Sequence, residues 1–235
     1  MSRRLGVSLG VNLLPIDSKL CNFNCIYCEC GGEEIKSTRG KAFNSRSEVK
    51  KELEKSLIEL KSKNISIDAV TFAGNGEPTM HPEFSEIIND TIELRNNYFP
   101  AVKVAVLTNA TMLNRKSVVD ALKKVDLRIL KLDAGTEELF QKINQPHSRR
   151  SLSWIIDHLQ YFKGDLIVQS MFVKGLHDGT FIDNSSDISV NAWLELLKKI
   201  KPKQVMIYSI DRATAVKGLE KISLEKLKEI GMKVN

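Results

Sequence analysis

The sequence has no uninterrupted apolar run approaching the length of a membrane span. That argues against a helical membrane protein, and no membrane partner is expected. The first residues, Met1-Ser2-Arg3-Arg4, carry positive charge. The segment Leu5–Leu14 behind them is interrupted by Gly6, Ser8, Gly10 and Asn12, so the apolar core and cleavage site of a secretory signal are missing. The expectation is a cytoplasmic protein. Cysteine is scarce and confined: Cys21, Cys25, Cys28 and Cys30 all fall within ten residues. A disulfide framework would spread its cysteines to staple distant loops, whereas such clustering in a cytosolic chain points to metal. The four histidines, His81, His147, His158 and His177, show no metal-pair spacing. There is no linker, low-complexity segment or second cysteine–histidine knuckle. A single domain over 1–235 is expected, with a cluster loop at 21–30 and a short helical tail at about 220–235.

With 235 residues, 42% hydrophobic and 27% charged, the chain has the balance of a globular protein with a substantial core. The formal net charge of +6 permits an anionic partner such as RNA without requiring one.

Apolar strands alternate with amphipathic helices. Leu5–Leu14 reads as a strand, followed by the cysteine loop and a polar stretch to Lys41. Ser45 and Glu48 stand at capping-box spacing, and Val49, Leu53, Leu57 and Leu60 then recur at helical period, predicting a helix over Arg46–Lys63. Ala69–Ala73 is a short strand ending at Gly74-Asn75-Gly76-Glu77-Pro78, with Pro82 placed to open the next helix. Strands follow over Val102–Leu107, Leu127–Leu132, Leu166–Val173 and Gln204–Ile210. Helices are expected over Asn114–Lys124, Thr136–Ile143, Ser151–Phe162, Ala192–Ile200 and Leu224–Ile230, with a polar loop from Lys174 to about Ser189. Some six βα units imply an α/β fold with parallel strands. A full eight-fold barrel needs ~250 residues. An open, partial (β/α)6 TIM-like barrel is therefore predicted. Chemistry in such folds gathers at the carboxyl ends of the strands.

The loop Cys21-Asn22-Phe23-Asn24-Cys25-Ile26-Tyr27-Cys28 carries that chemistry. Three thiolates at C-x-x-x-C-x-x-C spacing can grip three corners of a 4Fe–4S cluster, which takes four cysteines when fully protein-ligated. Three leave one iron open, and an open coordination position makes a metal centre reactive. Two other classes compete at this point: a zinc-stabilised binding module and a simple iron–sulfur electron carrier. Cys30 stands too close to Cys28 for both to ligate without strain.

C-x-x-x-C-x-Tyr-C after the first strand, with Gly76-Glu77-Pro78 after the second, resembles the radical S-adenosylmethionine (SAM) superfamily. That resemblance implies that Cys21, Cys25 and Cys28 ligate a 4Fe–4S cluster and that the cofactors are the cluster and SAM. It implies an enzyme that cleaves SAM to a 5′-deoxyadenosyl radical, which abstracts hydrogen from substrate. It places Tyr27 beside adenine and Gly74, Asn75, Gly76, Glu77 and Pro78 along the methionine end of SAM. Many relatives have Gly-Gly-Glu-Pro where this chain has Gly-Asn-Gly-Glu-Pro. Asn109 becomes a candidate for ribose or substrate, in a Thr108-Asn109-Ala110 segment where many relatives have Thr-Asn-Gly. Lys131 is matched to the SAM carboxylate and Asp133 to ribose or substrate. Gln169 is placed on the lumen wall, and Arg212 suits a carboxylate or phosphate, since its fork pairs with either. An electron donor such as flavodoxin or ferredoxin is implied.

Within that superfamily the chain looks most similar to the wyosine-synthase-related branch, on Gly-Asn-Gly-Glu-Pro-Thr-Met-His-Pro, Leu-Thr-Asn-Ala-Thr, Leu-Asp-Ala and Ile-Asp-Arg. A nucleobase or RNA substrate follows from that likeness. Glycyl-radical-enzyme activases, with a protein partner, and 7-carboxy-7-deazaguanine synthase-like enzymes, with a small pterin, are the alternatives.

Overall fold

Each apolar run in this chain is too short to bury itself, and each helix offers one apolar stripe. Layering helices on parallel strands satisfies both. The computed structural model describes residues 5–31, 43–147, 150–212, 214 and 216–234. The polar stretch at 32–42 and Arg3, Arg4 and Arg149 thus lie outside the described residues. The chain divides into two compact units.

The first unit comprises Met1–Cys21, Lys36–Thr108 and Met112–Ile129. Its strands are β1 (Ser8–Val11), β2 (Ala69–Phe72) and β3 (Lys103–Thr108). They pair in parallel, with Leu9 opposite Val70 and Val70 opposite Val104. All four β2 residues are buried, as expected of a strand covered on both faces. Helix α1 (Arg46–Ser62) starts where the sequence predicts: Ser45 caps it, and Glu48 returns a bond to the Ser45 N–H at 3.0 Å. Its buried Val49, Leu53 and Leu57 contribute about 1.5–3 kcal/mol each. Helix α2 (Phe84–Tyr98) packs Phe84 edge-on against Phe72, and α3 (Lys116–Lys124) follows β3. Pro82 does not open α2. Instead Pro78 opens a 3₁₀ turn, Pro78–Met80, ahead of the helix, because Glu77 supplies a capping carboxylate there.

Strand β4 (Leu127–Lys131) begins in the first unit and ends in the second, which comprises Asn22–Ile35, Asn109–Thr111 and Leu130–Asn235. Helices α4 (Glu137–Asn144) and α5 (Leu152–Leu159) precede β5 (Ile167–His177). The predicted polar loop from Lys174 is replaced by a hairpin: β5 runs on to His177 and β6 (Thr180–Asp183) returns antiparallel. The two residues between them, Asp178 and Gly179, both have positive φ (49° and 72°). An Asp-Gly pair with that backbone is a favoured two-residue hairpin turn. Among polar neighbours, Ile182 is the one apolar residue of β6 that is buried, too weak a signal to read as a strand. Helix α6 (Asp187–Ile200) consequently starts five residues before the predicted Ala192, capped by Ser186. Strand β7 (Gln204–Ser209) pairs in parallel with β5, and a short strand absent from the prediction, β8 (Leu219–Lys221), pairs antiparallel with β5. Helix α7 (Leu224–Val234) ends the described chain. Trp193 anchors this core, packed edge-on against Phe172, with its indole N–H donated to the Leu132 carbonyl and the Ser170 hydroxyl at 3.1 Å each.

Candidate cofactor site

In the first unit, the segment leading into Cys21 is strapped to the turn after β2 by backbone alone. The Leu20 N–H donates to the Asn75 carbonyl at 2.7 Å, and the Glu77 N–H donates to the Leu20 carbonyl at 2.9 Å. Gly76, at φ +144°, sits against this strap, and a Cβ built there would lie 1.8 Å from the Leu20 oxygen. The glycine is therefore required by the chain's own backbone, independently of any ligand. Gly74 is crowded in the same way by the Asn12 side chain, whose Oδ1 would lie 2.3 Å from a Cβ. Asn75 donates through its carboxamide to the carbonyls of Pro15 and Ile16, at 3.1 and 3.2 Å. Glu77 is buried, and one oxygen accepts from the Thr79 N–H at 3.0 Å, the Thr79 hydroxyl at 2.5 Å and the Thr108 hydroxyl at 2.7 Å. Five predicted residues, Gly74 to Pro78, thus form one rigid turn, tied to the residue before Cys21.

In the second unit the cysteine loop runs along the end of α4. The last carbonyls of a helix lack intrahelical partners. Here they are taken by the loop: the Asn24 N–H donates to the Asn144 carbonyl at 3.0 Å, and the Ile26 N–H to the Ile143 carbonyl at 3.0 Å. Phe23 bridges to Pro146, and the His147 N–H donates to the Asn22 carbonyl at 2.9 Å. The Cys28 N–H turns back to the Cys25 carbonyl at 3.0 Å. Cys25 is buried, Cys28 is partly buried and Cys30 is exposed; none is in a disulfide.

Asn109 reaches this loop as well. Its carboxamide donates to the Asn22 side chain at 2.8 Å, while its oxygen accepts from the Thr111 N–H and hydroxyl at 3.1 and 2.6 Å. Asn22 closes the ring by donating to the Thr111 hydroxyl at 2.6 Å. Ala110 between them takes φ +67°, a conformation that costs an alanine what it would not cost a glycine.

The end of β4 forms a hub. Asp133, 3% exposed, accepts from the Tyr27 hydroxyl, from the Asn144 carboxamide at 2.7 Å, and from the Met171 N–H at 2.9 Å; Lys131 stands 3.4 Å away. The carboxylate that the resemblance assigns to a ribose or substrate faces four donors of the protein itself, three at Oδ2 and the Met171 N–H at Oδ1. Lys131 also donates to the Tyr27 oxygen at 2.5 Å and lies 5.0 Å from that ring's centre. Burial is the largest single influence and works against the Lys131 charge, but Asp133, Tyr208 and Cys25 together outweigh it and hold the lysine above its ordinary pKa. Burial, then Asp133, push the Tyr27 phenol well above its usual value. Burial likewise raises the Cys25 thiol, against the nearby Lys131 charge, which lowers it.

Two predicted residues stand differently. Gln169 is buried on β5, and its side-chain N–H₂ finds no hydrogen-bond partner among the described residues. A buried unsatisfied donor is costly and marks a position suited to a ligand acceptor. Arg212 is exposed and pairs with Glu29 of the cysteine loop at 3.1 Å.

Asn144 and Asn22 were not among the predicted residues. Asn144 ends an ordinary amphipathic helix, and its only sequence signal is the Pro146 just beyond, which marks a helix end.

The donor set suits an iron–sulfur cluster. Two of the three motif thiols share one tight turn, and a side-chain N–H reaches the Cys25 sulfur at 3.4 Å. Among the described residues, no three histidine, cysteine, aspartate or glutamate side chains gather as ligands of one metal ion. A cubane needs no such convergence, since each thiolate binds its own iron. Among the described residues, no helix is long and apolar enough to cross a membrane.

Known proteins resemble the chain in sequence and in fold. A UPF0026 protein of Helicobacter pylori is 32% identical over 97% of this chain and 69% of its own length. A protein of Brachyspira hyodysenteriae described as GTPase Obg is 30% identical over 97% of this chain, which spans only 32% of that relative. Among solved structures, a radical SAM methyltransferase from Sphaerobacter thermophilus matches with a TM-score of 0.68 at 14% identity, over 97% of this chain and 62% of that one. The structure of anSMEcpe with bound AdoMet matches at 0.61 and 16% identity, over 97% and 59%. Archaeal TYW1 matches at 0.54 and 13% identity, over 86% and 67%. These likenesses carry the fold, an α/β partial barrel with parallel strands. Residues 16–184 match the Radical SAM superfamily, and the chain belongs to that superfamily.

Proposed function

We propose that Cys21, Cys25 and Cys28 bind the cluster of this enzyme and that its substrate is a nucleobase, free or within RNA. As a radical SAM enzyme the chain works with a 4Fe–4S cluster and S-adenosylmethionine, and it needs a source of single electrons. When bound, the cluster supplies the electron that breaks the sulfonium C–S bond of SAM and so yields the radical that takes hydrogen from substrate. The chain's own residues position and shield that chemistry. Backbone of Gly74–Pro78, held by Leu20 and by Glu77 with its threonine partners, would line the methionine end of SAM. Lys131, kept charged by Asp133, would meet the SAM carboxylate. Asp133 orients Lys131 and Tyr27, and through them acts on the cofactor. Asn109 and Gln169 would donate to ribose or substrate, and Arg212 would contact an anionic group at the rim.

The observation that carries the ligand assignment is the Cys25–Cys28 turn, stitched to the end of α4 and facing a side-chain N–H. The nucleobase assignment is supported by the net charge of +6 and by the sequence likeness to the wyosine-synthase-related branch. We place the protein in the cytoplasm, as one domain, with flavodoxin or ferredoxin as donor. The test is anaerobic reconstitution of wild type and Cys25→Ala, measuring bound iron and sulfide, and 5′-deoxyadenosine after adding dithionite and SAM. Wild type should load a cluster and cleave SAM, and the variant should do neither. Equal loading and cleavage in Cys25→Ala would overturn the ligand assignment. Unmodified RNA should stimulate SAM cleavage, whereas stimulation by a protein or a pterin alone would overturn the nucleobase assignment.

A further inference from the structure

We infer that Asn144 is a positioning residue that sets the reduction potential of the cluster through Cys25. The inference rests on Cys25 being a ligand and goes beyond it. The Asn144 side chain carries two N–H bonds on one nitrogen. That nitrogen lies 3.4 Å from the Cys25 sulfur and 2.7 Å from an Asp133 oxygen. Both partners are acceptors when ionised, so only the amino end of the carboxamide can face them, which settles its orientation. The residue has little freedom to move away. Its backbone carbonyl accepts from the Asn24 N–H at 3.0 Å, and α4 ends at this position. Asp133 is in turn fixed by the Met171 N–H at 2.9 Å. Asn144 thus presents a preorganised, buried N–H to one cluster sulfur, from a point 119 residues away in sequence.

Hydrogen bonds to cluster sulfurs and burial are what tune iron–sulfur potentials. A one-electron reduction adds negative charge that is shared with the thiolate sulfurs. A donor to that sulfur therefore stabilises the reduced form more than the oxidised form and raises the potential. Removing it should make the cluster harder to reduce while leaving all three thiolates in place.

The experiment uses the reconstituted holoprotein. Asn144→Ala and Asn144→Leu are compared with wild type for iron and sulfide content, and by redox titration of the reduced-cluster EPR signal. Expected is full loading with a more negative midpoint, up to about tenfold in the reduction equilibrium, or about 59 mV for one electron. Wild type carrying asparagine labelled with ¹⁵N at the side-chain amide should show a ¹⁵N coupling to the reduced cluster in pulsed EPR that a loaded Asn144→Ala protein, which keeps Asn22 and Asn24, lacks. A wild-type midpoint in a loaded Asn144 variant would overturn the inference. So would the absence of any ¹⁵N coupling in the labelled wild type, or its full retention in the loaded Asn144→Ala protein. Failure of the ligand assignment would look different: Cys25→Ala would then load its cluster normally.

Discussion

Two regions of the chain, one before Cys21 and one after it, are held by different means. In the first, the residue before Cys21 is held by main-chain pairing to the Gly74–Pro78 turn, where Gly74 and Gly76 leave no room for a Cβ and the Asn75 and Glu77 side chains brace the turn itself. In the second, Tyr27, Lys131, Asp133 and Asn144 form a side-chain hub, and Asn22, Asn109 and Thr111 a second ring. Backbone pairing is indifferent to residue identity except where a Cβ would collide. A buried polar network needs every member, because each lost partner strands another. The first region should therefore fail most sharply where a Cβ would meet backbone, at Gly76, and the second at any of several polar residues.

That contrast can be broken by three substitutions. Gly76→Ala carries the largest expected effect. It puts a Cβ into the Leu20 carbonyl at a backbone conformation that L-residues avoid, and should cost about 4 kcal/mol in urea unfolding. A wild-type midpoint would show that the strap yields easily and is not what demands glycine. Asp133→Asn comes next. It removes the charge facing Lys131 and replaces one acceptor oxygen by an NH₂ that meets the Asn144 or Met171 donor, a loss of about 3 kcal/mol by the same measurement. If it is neutral, the hub is not a cooperative network. Ala110→Gly has the smallest effect and the opposite sign. Relief of the left-handed backbone at φ +67° should stabilise the protein by about 0.5–1 kcal/mol, seen as a raised Tm. A destabilised variant would mean that the methyl group is worth more than the strain it causes.

Much of the architecture was legible locally. The α1 start was readable because a capping box needs only residues three apart, and β2 because a short, mostly apolar run followed by glycines has few other readings. The hairpin of β5 and β6 was missed because each of its faces mixes polar and apolar residues and its β5 extension passes through Gly175, which breaks the apolar pattern. Strand β8 is three residues long and owes its existence to pairing with β5, which composition cannot reveal.

The candidate site divides the same way. Cys21, Cys25, Cys28 and Gly76-Glu77-Pro78 are visible in sequence because metal ligation and tight turns require particular residue types at short spacing. Their spacing, and the family it indicates, needed no coordinates. What only the tertiary structure decided is who surrounds them. Gly76 is glycine on account of Leu20, Asp133 is a hub with four protein donors, and Asn144 meets a cysteine 119 positions away. Hydrogen bonds over such separations depend on where whole helices and strands end. No local rule ties the end of one helix to a cysteine in another part of the chain.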